Sequence, residues 1–161
     1  MQTDKLFLAF GLGLLLAAGC ATSGDKEDVA LRLHEQISST LPSKLYREVQ
    51  VPKTGLTLQV DRYPALTERD VHSAELYPTA GGAAILLRME PGGTFALDEL
   101  TTRSRGRYLV TFLNGRPVAA WLVDKRITNG QMLLVGDFTD EEARKTVDSL
   151  NRMSKRRNSQ W

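Results

Sequence analysis

The chain has 161 residues, long enough for one domain with its own hydrophobic core and too short for two comfortable ones. Its 21 Lys and Arg nearly cancel its 19 Asp and Glu and are spread along the chain, which argues against the concentrated basic face of a nucleic-acid binder. A single cysteine, Cys20, excludes an internal disulfide, so the fold must rely on its core.

Residues 1–19 have the form of a signal peptide. "MQTDK" is a short n-region, and the apolar run "LFLAFGLGLLLAA" after it falls short of the ~20 residues needed to span a bilayer. That run leads into Leu16-Ala17-Ala18-Gly19-Cys20, which resembles the lipobox of bacterial lipoproteins, where the cysteine becomes the lipidated first residue. The bland alternative is an incidental small residue at the end of a signal. Acyl chains on Cys20, at ~0.8 kcal/mol per buried methylene, would hold the protein on a lipid bilayer. Ala21 follows where an inner-membrane retention signal would place Asp, so the periplasmic face of the outer membrane is favoured over the inner membrane. Residues 20–28 then form the lipidated cysteine and a polar tether.

An N-terminal helix and strand region is expected over 29–65. Leu33, Ile37 and Leu41 fall at helical spacing before Pro42, which predicts a helix over Asp28 to Leu41. "LTLQV" alternates as a half-buried strand after the turn residue Gly55, and "YPALTERD" reads as a connection with one helical turn. "VHSAELYPT" and "AAILLRM" read as strands joined at Gly81-Gly82. Pro91-Gly92-Gly93 marks a break, with Thr94 as the N-cap of a short helix ending near Gly106.

In "RYLVTFLNGRPVAAWLV", Asn114-Gly115 between two apolar runs predicts a two-residue hairpin turn, since both positions need positive φ. That register sets Leu113 opposite Arg116, Phe112 opposite Pro117 and Tyr108 opposite Trp121. Asn129-Gly130 makes another turn before the strand "QMLLVG". Thr139 and Glu142 form a capping box, Ala143, Val147 and Leu150 line the buried face of the helix that follows, and Glu141 and Lys145 pair on its outer face. The last residues, 152–161, read as a basic, solvated and frayed tail, with contact to anionic lipid or an acidic partner as the alternative. The class is α+β, an antiparallel sheet with helices packed on one face.

Chemistry is hard to find in this pattern. His34 and His72 stand far apart without a Cys or second His at ligand spacing, so no metal site is expected. No nucleophile elbow, phosphate loop or cofactor motif is present, and the carboxylates of Asp98-Glu99 and "DEEA" sit near helix starts, where the dipole favours them. Arg103, Arg105 and Arg107 gather around a turn, as a solvated corner or as an anion site. Catalysis is not expected.

The order of motifs points further. "LTERDVHSAEL", Gly81-Gly82 with "AAILLRM", "FALDELTTRSRGRYLVTFLNG" and "ITNGQMLLVGDFTDEEARKTVDSL" together resemble the head subdomain of the first periplasmic domain of the SecD family, export-motor subunits of the bacterial Sec translocon. The landmarks are Leu100-Thr101, Gly106-Arg107, Asn114-Gly115, Ile127, Gly130, Gly136, Phe138 and Glu142-Ala143, over a head-like domain at 66–151. Ala119-Ala120-Trp121 departs from the Ser-Ala-Pro that family tends to carry, and neither its base subdomain nor its membrane helices have a counterpart here. The resemblance implies a tethered, non-catalytic module that binds polypeptide or an envelope protein, with Tyr108 and Trp121 as candidate contacts if they are not a cross-strand core pair. A structural envelope lipoprotein using the same fold for a fixed partner or another copy of itself is the alternative.

Overall fold

The computed structural model describes residues 28–37 and 44–159. The signal segment, Cys20 and most of the tether lie outside the described residues. Strands are β1 (Leu31–Glu35), β2 (Tyr46–Gln50), β3 (Thr57–Asp61), β4 (Leu66–Thr67), β5 (Val71–Thr79), β6 (Gly82–Met89), β7 (Tyr108–Leu113), β8 (Arg116–Leu122) and β9 (Gln131–Leu134). Two helices, α1 (Pro91–Arg103) and α2 (Asp140–Asn158), and a 3-10 turn at Glu68–Asp70 complete the described elements.

The chain near 31 is a strand, not the expected helix. β1 lies between β4 and β7 in a sheet ordered β4-β1-β7-β8, antiparallel to both neighbours. Leu31 and Leu33 are each 1% exposed on one face while Arg32 is exposed, so the operative period is two. Strand neighbours on both sides satisfy the backbone here, and that outweighs a weak helical spacing. The expected strand at 56–60, the helical turn before 71 and the strands flanking 80 are all present, although the last two close through Ala80-Gly81, with Thr79 opposite Gly82. β2 had no legible signal: of "YREVQ" only Val49 is buried.

β7 explains the architecture. Its run "YLVTFL" is buried from Leu109 onward, because both faces of the strand are covered. Leu109 and Leu113 join a large core with Leu31, Leu33, Leu87, Leu97, Leu100 and Leu150. Val110 and Phe112 point the other way, into a smaller core with Val49, Val51, Leu58 and Val60 from the β2–β3 ribbon. Both helices and the β5-β6-β9 sheet therefore meet one face of the central sheet, and the ribbon covers the other. Each such Leu or Val contributes on the order of 1.5–3 kcal/mol by leaving water. Residues on both sides of position 66 share the large core.

The Asn114-Gly115 turn has φ of 49° and 80°, and it pairs Leu113 with Arg116 and Phe112 with Pro117 as expected. One step on, Thr111 pairs with Ala119, leaving Val118 as an extra residue in β8. Every later pair is shifted by one: Tyr108 faces Leu122, and Trp121 faces Leu109. The expected Tyr108–Trp121 pair does not form, because a one-residue slip carries a side chain to the opposite face.

α1 begins at Pro91, with Glu90 as N-cap, rather than at Thr94. Proline suits a first helical position, since its missing N–H has no helical partner there anyway. At the start of α2 the Thr139 hydroxyl accepts from the Glu142 amide at 3.1 Å and the Glu142 carboxylate accepts from the Thr139 amide at 2.8 Å, completing the capping box. Residues 152–158 of the expected tail are not frayed: α2 continues to Asn158, Ser154 is buried, and Arg156 pairs with Asp28 at 2.5 Å, while residues 160 and 161 lie outside the described residues.

Candidate functional site

The two sheets present facing edges. β8 ends one and β9 ends the other, and just past β9 the Asp137 amide donates to the Val118 carbonyl at 2.6 Å. Between them lies a groove of about 180 Å³, lined by Ala119, Ala120 and Trp121 on one side and Met132, Leu133 and Val135 on the other, with Leu109 and Thr111 in its floor. Leu133 is 44% exposed and Val135 60% exposed, so apolar side chains reach the surface here. The bulge at Val118 turns Trp121 toward this groove. Tyr108 lies on the other face, half-buried against the ribbon. The candidate contact pair is thus divided, and only Trp121 borders an apolar groove.

Leu133 and Val135 were not picked out from the sequence. The run Met132-Leu133-Leu134-Val135 held the signal: a strand with one buried face cannot hide four successive apolar residues.

The arginine corner is built differently from an open anion site. Arg103 Nε and Arg107 Nη2 both contact the Glu35 carboxylate, at 3.1 and 2.9 Å, and Glu35 is only 13% exposed. This clamp ties the end of β1 to the turn between α1 and β7. Arg105 is exposed and makes no ion pair among the described residues. A hollow of about 780 Å³ between α2 and the hairpin tip is lined by Val29 and Leu113 and by mixed charges, including Arg116, Glu142, Lys145 and Asp148.

His34 is 2% exposed, on the ribbon side of β1. Its Nδ1–H donates to the Asp61 carbonyl at 2.8 Å and its Nε2 accepts from Arg47 at 3.2 Å, a neutral tautomer that burial favours by pushing the imidazole below its usual range. His72 is exposed beside Glu90. Among the described residues no group of three or more His, Cys, Asp or Glu could hold a metal ion.

The family model described as "SecDF, P1 head subdomain" matches residues 43–152. The chain belongs to the SecDF P1 head family. Its head fold is also that of solved structures. One, described as the structure and function of a membrane component SecDF that enhances protein export, superposes with a TM-score of 0.61 at 21% identity over 78% of this chain and 63% of that chain. Another, a crystal structure of SecDF in a super-membrane-facing form, gives a TM-score of 0.59 at 20% identity over 76% of this chain and 18% of that one. The P1 head here therefore spans less than two thirds of the first and under a fifth of the second, and at these identities the likeness concerns the fold. Comparison with curated proteins finds no match. Among the described residues no helix of the P1 head is long and apolar enough to cross a membrane.

Proposed function

We propose that this protein is a non-catalytic, polypeptide-binding P1 head linked to protein export, held at the periplasmic face of a membrane by acyl chains on Cys20, with the outer membrane favoured. The observation that carries the reading is the groove between β8 and β9, in a chain whose family model is that of the SecDF head. Two facing strand edges offer main-chain donors and acceptors, and Trp121, Leu133 and Val135 offer apolar contact. An extended segment with alternating apolar side chains satisfies both at once, with little demand on its sequence. Such a surface suits a module that meets many exported chains.

The test is photo-crosslinking in cells from a probe at Val135, with a probe at Tyr108 on the opposite side of the central sheet as the control. A ladder of exported polypeptides or Sec components from Val135, absent from Tyr108, is the expected result. A single stoichiometric partner or a self-adduct would instead identify a structural envelope lipoprotein that uses the head fold for fixed assembly.

A further inference from the structure

The layer between the central sheet and the β2–β3 ribbon is apolar along most of its length and cationic at one end. Arg32 pairs with Phe112 across β1 and β7, and His34 pairs with Val110, so all four side chains project toward the ribbon. On the ribbon, Arg47 pairs with Val60, which is fully buried in this layer. Arg62, whose amide donates to the Leu45 carbonyl at 3.0 Å, extends the same face by one further pair. Arg32, Arg47 and Arg62 thus meet where the layer opens to solvent.

Their partners are unusual. The Arg47 guanidinium lies 3.8 Å from the centroid of the Phe112 ring and donates through Nη2 to His34, while its Nε is buried without a hydrogen-bond partner among the described residues. Burial first, then the charges of Arg32 and Arg62, lower the pKa of Arg47, which fits a shared site. None of these groups forms an ion pair among the described residues, whereas Arg88, Arg103, Arg107, Arg116, Arg126, Arg156 and Arg157 all do. Asp61, next to Arg62 in the chain, turns its carboxylate to the Tyr63 amide at 2.9 Å. Packing against Phe112 and His34 holds Arg47 in place, and Arg32 and Arg62 are exposed at the rim.

We propose that Arg32, Arg47 and Arg62 form a binding site for a phosphate group, with Arg47 as its anchor. Planar guanidiniums donate in pairs to the oxygens of one anion, and a tetrahedral phosphate has enough acceptors to engage several at once. A lone carboxylate would neutralise one of these cations and leave the others in mutual repulsion. The site lies on the ribbon side of the central sheet, away from the β8–β9 groove, and does not depend on the function proposed for that groove. Inorganic phosphate and a phospholipid headgroup present the same chemistry.

The experiment titrates the full chain with inorganic phosphate at constant ionic strength, following the Arg47 Nε–Hε resonance, with acetate as control. The expected result is a saturable shift with phosphate that acetate does not reproduce. The double variant Arg32→Gln/Arg62→Gln, altered only at exposed positions, should bind at least tenfold more weakly with an unchanged melting temperature in phosphate-free buffer. A second arm measures sedimentation of Cys20→Ser chains with phosphatidylglycerol or phosphatidylcholine vesicles. Selective capture by phosphatidylglycerol that is lost in the arginine double variant assigns the site to a headgroup, and a phosphate response without such capture assigns it to a soluble phosphate. The proposal is overturned if neither arm depends on Arg32 and Arg62, or if acetate matches phosphate.

Discussion

The Asn151 carboxamide stands in for a missing strand beside Ala74. Its Nδ2 donates to the Ala74 carbonyl and its Oδ1 accepts from the Ala74 amide, both at 2.9 Å. β5 is an edge strand, and Ala74 is 2% exposed under α2, so water cannot readily serve these backbone groups. Asn151→Ala is expected to lower the unfolding free energy by about 2 kcal/mol, the cost of orphaning buried backbone groups. Asn151→Asp should be at least as harmful, since it keeps the acceptor but turns the donor into a carboxylate facing a carbonyl. Urea titration followed by circular dichroism checks both, and unchanged midpoints would mean that the pair contributes nothing.

Adjacent glycines in the first turn of α1 should respond with opposite sign. A Cβ at Gly93 would stand 2.5 Å from the Asp70 carbonyl oxygen, whereas one at Gly92 would meet nothing within 4 Å. Gly92→Ala should stabilise by up to about 1 kcal/mol through helix propensity. Gly93→Ala should destabilise despite the same propensity gain, because α1 must move off the 3-10 turn. Equal shifts in the two unfolding midpoints would show that this close approach carries no weight.

Acid should weaken the fold through His34. Burial, reinforced by Arg47 and Arg32, holds its imidazole below the ordinary value of 6.5, against the opposing bond to the Asp61 carbonyl. Between that lowered value and 6.5 the unfolded chain binds a proton that the folded chain refuses, so stability is full above 6.5 and falls as pH drops below it. The carboxylates held low by cationic partners, such as Asp98 beside Arg126 and Asp137 beside Lys53, titrate in a separate, more acidic window. In His34→Gln the loss of stability just below pH 6.5 should disappear. Denaturation midpoints between pH 5 and 7.5 test this, and a slope equal to the unaltered protein's would assign the effect elsewhere.

The proposed anchor gives a direct chemical prediction. Cys20→Ser should abolish incorporation of labelled palmitate, because no other cysteine is present to accept it. Labelling that persists in the variant would refute acylation at this residue.

Some of this structure was legible because its causes are local. The Asn114-Gly115 turn and the Thr139–Glu142 capping box each involve residues within a few positions of one another, and both form as expected. The ordered landmarks from Leu100 to Ala143 likewise carried the family resemblance. β1 was misread because apolar spacing at 33, 37 and 41 fits a helix in isolation, while the strand draws its backbone partners from residues near 66 and 110. The candidate contacts suffered from a similar cause: one bulged residue, Val118, moved Trp121 to the other face from Tyr108, and no local rule forces that bulge.

The chain's own order of residues was sufficient for the class, the Asn114-Gly115 turn, the Thr139 cap and the family, because each of these follows from short-range sterics, backbone hydrogen bonding or an ordered set of landmarks. It misplaced the cap of α1, which lies at Glu90 and not at Thr94. Which apolar side chains are spent in the core and which border a groove was a matter of packing. Leu133 is exposed and Leu134 buried although they are neighbours of one kind, because β9 has the large core on one face and solvent on the other. The same holds for charge. Arg103 and Arg107 close on Glu35 while Arg32, Arg47 and Arg62 form no ion pair among the described residues, since ion pairs depend on distances across sheets that arise only when the layers come together.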